Sequence, residues 1–589
     1  MWPFSTPYPE RTVEEIVDHV YDYIIVGAGT AGCALASRLS EGVDVTVLII
    51  EKGPIQDTWQ TRVPLISCAL TSIPGMVYQD SMPNRGCNNR KIPMYRSESL
   101  GGNSRANGMI YTRGWPAIYN QWALQTGYTH WSWAAVEPYF LKIENRHNES
   151  SSKNDKNDIL GPVQTLQYGP QFQFSNLVEK AASALGFPIE HHINRPEALP
   201  MGFFHFDLTI DSQGYRHSAF KSYLPKVLVA ERQDHLTVCT GGVVTSIDLN
   251  AENGIATGVR VKGVKTGKMV QIRARREVIL CCGTVGSPKL LQLSGIGPAT
   301  LLEAHGIPLH CDLPVGKHLS DHQGIPICLE LPFDQTFHII QKSYLQAFWQ
   351  LLRFQYNGTG LLKNGPTQSS IFLNTSHLDP LTHLPRKNID SDPTNPGNIP
   401  DVEVMIVPAS TLIDTEEVIS LASIYTCLLQ PRSEGCIEIS SMDPEANPTI
   451  HLNFLDQAED LQVVRNALRF SLNLTRYLSK ELGFPQPAKL YLAPGTEQEP
   501  VKADLTDEEL DNFARRNIQS VLHLACSCRM GSNGINSVVD GELRVHGFSN
   551  LRVADASVFP VIPAAHTMAP VYMIAERCAD FVKEAWRDR

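Results

Sequence analysis

The sequence predicts an α/β protein, and three observations carry that prediction. Near the N-terminus a short apolar run, a glycine-rich turn, a helix-forming stretch and a second apolar run follow one another. In the middle, residues 236–261 and 271–281 alternate apolar and polar side chains, the period of strands. Toward the C-terminus a strand-like run over 551–554 leads to a helix-forming stretch from Val571 to about Trp586.

The N-terminal unit is the most informative. Residues 23–26, YIIV, are the β-branched and aromatic run expected of a buried parallel strand. Gly27, Gly29 and Gly32 follow at the spacing G-x-G-x-x-G, and residues 31–39 form helix. The glycines therefore lie between a strand and a helix, the setting in which this spacing holds a nucleotide. Gly27 permits the tight turn, Gly29 lets backbone approach a pyrophosphate, and Gly32 lets the helix pack against the strand. The helix N-terminus turns its partial positive charge toward the phosphates. The second run, 45–50, ends at Glu51, 19 residues after Gly32. An acid there accepts a ribose 2′-hydroxyl and repels a 2′-phosphate, which disfavours NADP. NAD and FAD both remain open at this point.

Other stretches stand out along the chain. Residues 96–114, RSESLGGNSRANGMIYTRG, combine a glycine pair with small polar residues that can line a flat polar ligand. Residues 147–161 read as an exposed polar loop. Residues 283–298, GTVGSPKLLQLSGIGP, open a glycine-punctuated helix, and residues 385–400 are a Pro/Asn/Asp loop, a boundary or an active-site flap. Residues 343–356, SYLQAFWQLLRFQY, are helical with Tyr344, Phe348, Trp349, Phe354 and Tyr356 as aromatics. Such a stripe is expected in the core, or else as a wall of an apolar substrate pocket. His523 lies in HLACSCRMG, and His566 just precedes the last helix. No internal repeat or low-complexity tract is present.

Bulk properties narrow the function classes. The chain has 589 residues, 42% hydrophobic and 19% charged, ordinary for a globular protein of more than one domain. A net charge of −11 argues against nucleic acid or an anionic membrane as the main partner. The 13 cysteines form neither a C-x-x-C zinc pattern nor a disulfide framework, so free thiols in a reducing compartment and no metal are expected. The N-terminal MWPFSTPYPERTVEE lacks a basic start and an apolar run, and no run is long enough to span a bilayer. An intracellular, cytoplasmic location is the expectation. N-x-[ST] sequons at Asn148, Asn357, Asn374 and Asn473 carry little weight in that setting.

Several of these segments, in order, resemble the glucose-methanol-choline (GMC) oxidoreductases. The glycine loop with Glu51 is similar to the family's start. LGGNSRANGMIYTRG resembles its first signature and GTVGSPKLLQLSGIG its second. SVVDGELRVHGFSNLRVADASVFP and PAAHTMAPVYMIAERCADF resemble its C-terminal block, and the stretch from Cys427, CLLQPRSEGCIEISSMDPEANPTIHLNF, its substrate-side sheet. The resemblance runs from about Tyr21 to Val582.

It implies a Rossmann-type FAD-binding domain interleaved with an α+β substrate domain built on an antiparallel sheet. The expected division is 1–165, 232–330 and 510–589 for FAD, and 166–231 with 331–509 for substrate. Residue by residue, Gly27, Gly29, Thr30, Ala31 and Gly32 would hold the pyrophosphate, Glu51 the adenosine ribose and Val244 the adenine. Asn103, Asn107, Gly108, Met109 and Ile110 would run beside the flavin ring, with Asp555, Thr567 and Met568 completing the site. His523 and His566 match the family's catalytic pair.

The implied reaction is oxidation of an alcohol, primary and apolar or aromatic, to an aldehyde or ketone. His523 would abstract the hydroxyl proton while hydride passes to flavin N5, and oxygen or another acceptor would reoxidise the flavin. The alternative is an FAD-containing lyase of the hydroxynitrile type, with no net redox change. Ala106 stands where some members carry a histidine bonded to FAD, so the cofactor is expected to be non-covalent. The usual HPxGT is His523-Leu524-Ala525-Cys526-Ser527 here, and Asn103 replaces a common serine. The backbone beside His523 is therefore expected to differ from the family's.

Overall fold

The computed structural model describes residues 7–587 apart from 18, 148–160, 251, 388, 413–418, 481–482, 484–488 and 497–503. Most of the polar loop expected over 147–161 lies outside the described residues.

The first sheet is built around parallel strands that run Glu10–Arg11, Leu236–Thr240, Val47–Glu51, Val20–Val26 and Met269–Leu280 in spatial order. Leu551–Val553 pairs in parallel with the end of Met269–Leu280. The strands Ile255–Gly263 and Gly242–Asn250 continue the sheet as an antiparallel ribbon. Ile24, Ile25, Val47, Leu48 and Ile49 are wholly buried, as strands covered on both faces must be. The helix Thr30–Leu39 packs on this sheet and against the last helix, Met568–Ala585. Arg552 and Glu277 form a fully buried ion pair at 2.7 Å that ties the C-terminal strand to its neighbour.

The second sheet runs Lys489–Leu492, Gln323–Glu330, Leu421–Leu428, Val402–Val407, Ser369–Leu373, Gly202–His205 and Ile189–Glu190. All its pairings along this path are antiparallel except the last. The long helix Ala458–Lys480 packs on it. Gln323–Glu330 belongs to this sheet, so a division of the chain by sheets falls before Gln323 rather than after residue 330. The molecule is thus a Rossmann-type α/β unit, assembled from distant segments, joined to an α+β unit on an antiparallel sheet.

The aromatic helix corrects an expectation. Tyr344–Asn357 is helical, but Tyr344 is 95% and Trp349 57% exposed, and Leu345, Phe348, Leu352 and Tyr356 also face outward. Only Gln350 and Phe354 are buried. Periodicity showed two unlike faces without showing that the more apolar one turns outward. All 13 cysteines are free. Among the described residues no helix is long and apolar enough to cross a membrane.

Candidate active site

The turn after Val20–Val26 leaves no room for side chains. Gly27 has φ +96°, and a Cβ there would lie 2.5 Å from the Cys281 carbonyl oxygen. A Cβ on Gly32 would lie 1.9 Å from the Gly27 oxygen, so helix and strand touch through glycine. Gly29 differs: its nearest neighbours to a Cβ are 3.9 and 4.0 Å away, and it caps the helix Thr30–Leu39 beside open space.

That space is a cavity of ≈ 380 Å³. It is lined by Glu51 and Val244 and by Gly27, Gly29, Thr30 and Ala31. Asn103, Asn107, Gly108, Met109 and Ile110 lie along it, and Asp555, His523, His566, Thr567 and Met568 complete the wall. Of the residues expected at the site, Gly32 alone does not line the cavity; it supports Gly27 from behind. A buried acid, a helix N-terminus and a run of small residues around one cavity fit a bound dinucleotide.

The acids act partly through the backbone. Glu51 is buried and accepts from the Ala28 and Gly53 amides, each at 2.9 Å. Burial pushes its carboxyl up to about 7. Asp555 accepts from the Gly283 amide at 2.9 Å, the Ser287 hydroxyl at 2.6 Å and the Ser557 amide at 2.9 Å, while burial raises its pKa. Asp555 thereby clamps the second glycine segment to the C-terminal strand. Asn103 accepts from the Ser97 amide at 2.8 Å.

Asn107 is held by a residue that sequence reasoning missed. Arg216, fully buried, donates to the Asn107 side-chain oxygen and main-chain oxygen, each at 2.6 Å, and to Ser67 Oγ and the Ser104 carbonyl. Asn107 in turn accepts from the Met109 amide at 3.0 Å. Met109 sits at φ +64°, an uncommon conformation for a residue with a side chain. This part of the wall is shaped by strain and a buried guanidinium together.

Four titratable side chains form a chain. His523 and His566 meet edge to face, ring centroids 5.0 Å apart. His566 Nε2 lies 3.2 Å from Glu403 Oε1, and its backbone amide donates to Thr112 Oγ1 at 2.9 Å. His523 Nδ1 lies 2.9 Å from His322 Nδ1. Asp321 accepts from the His523 amide at 2.8 Å and from the Ser520 hydroxyl, and burial raises its carboxyl to about 7. Burial, then the neighbouring His566 and His322, hold the His523 pKa well below its usual value. Burial lowers His322 to about 3. Both rings are therefore neutral near pH 7.

The altered motif puts a cysteine in a left-handed turn. Cys526 takes φ +71°, the left-handed region that favours glycine, and its amide donates to Ala556 O at 3.1 Å. The bonded scaffold imposes the left-handed turn on a residue with a side chain.

Away from the cavity, Cys436, Glu438 and His451 bring three ligand atoms within 4.8 Å of one another on one hairpin, and Glu438 is paired with Lys317 at 2.7 Å. The sequence reading did not anticipate this group.

Sequence models of the GMC oxidoreductase family match residues 21–324 and 431–575. An oxygen-dependent choline dehydrogenase of Paraburkholderia xenovorans is 32% identical over 571 residues, covering 96% of this chain and 94% of that protein. Among solved structures, a formate oxidase is similar at a TM-score of 0.84 and 27% identity, covering 97% of this chain and 99% of that one. A pyridoxine 4-oxidase from Mesorbium loti is similar at a TM-score of 0.78 and 25% identity, again over 97% and 99%.

Proposed function

The chain belongs to the GMC oxidoreductase family, FAD-dependent enzymes acting on CH–OH donors, and we propose that it oxidises a primary alcohol with His523 as the base. The observation that carries this reading is the neutral His523 ring at the end of the cavity, backed by His322 and flanked by His566. A neutral imidazole can take the substrate's hydroxyl proton. Its Nδ1 is occupied by His322, so the proton goes to Nε2. His566, oriented by Glu403, is positioned to hold the alcohol oxygen. FAD, when bound, accepts hydride from the carbinol carbon.

In this reading residues 1–165, 232–330 and 510–589 serve the cofactor, and 166–231 with 331–509 the substrate. The strand Gln323–Glu330 then sits at the junction, directly after His322. Ala106 offers no atom for a bond to the flavin. Oxygen is the proposed acceptor, in keeping with the relatives' printed name.

The exposed aromatic helix no longer argues for an apolar substrate. What supports an apolar or aromatic alcohol is the surroundings of the histidines: Phe206 meets His566 at 5.6 Å, and Leu522 and Leu524 line the cavity beside His523. A second reading, choline, draws on the relatives' name and on Glu403, a buried carboxylate beside His566. Anaerobic titration with a panel of alcohols tests both. Bleaching of the flavin spectrum by benzyl-type alcohols supports the first and bleaching by choline the second. A flavin spectrum that no alcohol changes refutes both and favours the lyase alternative.

A further inference from the structure

The outward face of the helix Tyr344–Asn357 is the most apolar exposed feature of the substrate unit. Tyr344, Phe348, Leu352 and Tyr356 recur every four residues, and Leu345 and Trp349 lie beside them, so all six share one face. Its opposite face rests on Leu362, Val63 and their neighbours through Phe354 and Leu351. The helix is therefore fixed flat on the surface with its apolar arc turned out, an arrangement that marks an interaction site.

Charge identifies the partner. The chain as a whole is acidic, with 61 Asp and Glu in 589 residues. Yet residues 335–378 contain none, while Lys342, Arg353 and Lys363 are basic. The elements packed beneath carry Asp57 and Asp211, which are already paired with Arg62 and Lys221. Arg353 and Gln346 form the polar rim of the apolar arc, Gln355 is the one polar side chain within it, and Lys342 precedes the helix. Tyr, Trp, Phe and Leu on one face with cations at the margin is the composition of a helix that lies in the headgroup layer of a membrane.

We propose that this helix docks the protein peripherally on an anionic lipid surface. The chain following the helix reaches the cavity within a few residues: a Cβ on Gly365 would lie 3.2 Å from the Gly108 oxygen, and Pro366 packs on Gly108.

The flavin-loaded full chain is cosedimented with vesicles of phosphatidylcholine alone and with vesicles containing about one-third phosphatidylserine. Binding to the anionic vesicles is expected to exceed that to the neutral ones by about tenfold or more and to weaken with salt. The double variant Phe348→Ser/Trp349→Ser, and separately the charge reversal Lys342→Glu/Arg353→Glu, are each expected to abolish that preference while leaving flavin content unchanged. The charge reversal leaves the six apolar side chains in place and removes only the Lys342 contact over the Phe333 ring at 3.9 Å, so it decides the matter even if the first variant folds poorly. Equal or absent binding to the two vesicle types, or binding that neither variant changes, overturns the proposal. So does light scattering that finds a dimer of the native chain which the double variant converts to monomer, since the face is then covered by a second copy.

Discussion

His322 and His523 meet Nδ1 to Nδ1 at 2.9 Å, and only one of the two atoms can carry the hydrogen. If His523 donates, its Nε2 holds a free lone pair and can serve as the base. If His322 donates, His523 carries its hydrogen on Nε2 and cannot. His322 Nε2 is buried and has no hydrogen-bond partner among the described residues, so no outer acceptor sets which of the two rings donates. His322→Asn keeps an acceptor oxygen near the same place, whereas His322→Leu removes it. Flavin reduction by alcohol is expected to fall about 10²-fold in the leucine variant and to be largely retained in the asparagine variant. The two are compared by stopped-flow reduction; equal loss in both would exclude control of the tautomer.

The pH dependence follows from the same rings. A histidine at its ordinary value gives an acid limb centred near pH 6.5, by about the model-peptide value. His523 is depressed well below that by burial, so it stays neutral at lower pH. The acid limb of kcat/KM in the free enzyme is therefore expected below pH 6.5. Stability has the matching sign. Below about pH 6.5 the unfolded chain protonates these rings and the folded chain does not, so their contribution to stability is lost as pH falls. Buried Glu51 and Asp321 act in the opposite sense. The clean measurement is thus the melting temperature of the native chain minus that of His322→Asn, which should decline from pH 7 to pH 5.

Much of this site was legible in the chain, and what was not has a common cause. The glycine loop and Glu51 announce themselves through local spacing, because strand, turn and helix dictate neighbours a few residues apart, whereas His523 and His566 were legible only through the resemblance to the GMC family. His322, Glu403 and Arg216 give no such signal. They reach their partners His523, His566 and Asn107 across 201, 163 and 109 residues through contacts between segments far apart in the chain. Gln323–Glu330 lies against Leu421–Leu428, and that strand against Val402–Val407, which is what brings His322 and Glu403 to one end of the cavity. The aromatic helix failed for a different reason, since amphipathicity shows that two faces differ but not which one the fold covers.

Cys526 tests whether the altered motif is strained. Its positive φ is costly for a side chain, on the order of 1–3 kcal/mol, but its thiol is buried and would leave a small void if removed. Cys526→Gly is therefore expected to change the unfolding free energy by less than about 1 kcal/mol, strain relief offsetting lost packing. Cys526→Val adds a β-branch that this conformation disfavours and should cost about 2 kcal/mol or more. Chemical denaturation of the two variants checks the pair; a valine variant as stable as the native chain would remove the strain argument.

The opening glycines separate folding from cofactor binding. Gly27→Ala places a methyl 2.5 Å from a main-chain oxygen at a positive φ, so the strand end must move. That variant should lose several kcal/mol of stability, the range seen when a special backbone position is broken. Gly29→Ala meets nothing closer than 3.9 Å and sits at φ −77°, which any residue adopts. It should melt like the native chain. Its methyl, however, projects beside the helix N-terminus where a pyrophosphate would approach the backbone. FAD affinity of Gly29→Ala is expected to drop at least about tenfold, the effect of losing one good contact to a charged group. Differential scanning fluorimetry with and without added FAD reads both quantities. Undiminished FAD binding by Gly29→Ala would mean that the phosphates do not lie against this turn, and the assignment of the cavity would have to be rebuilt from its histidine end.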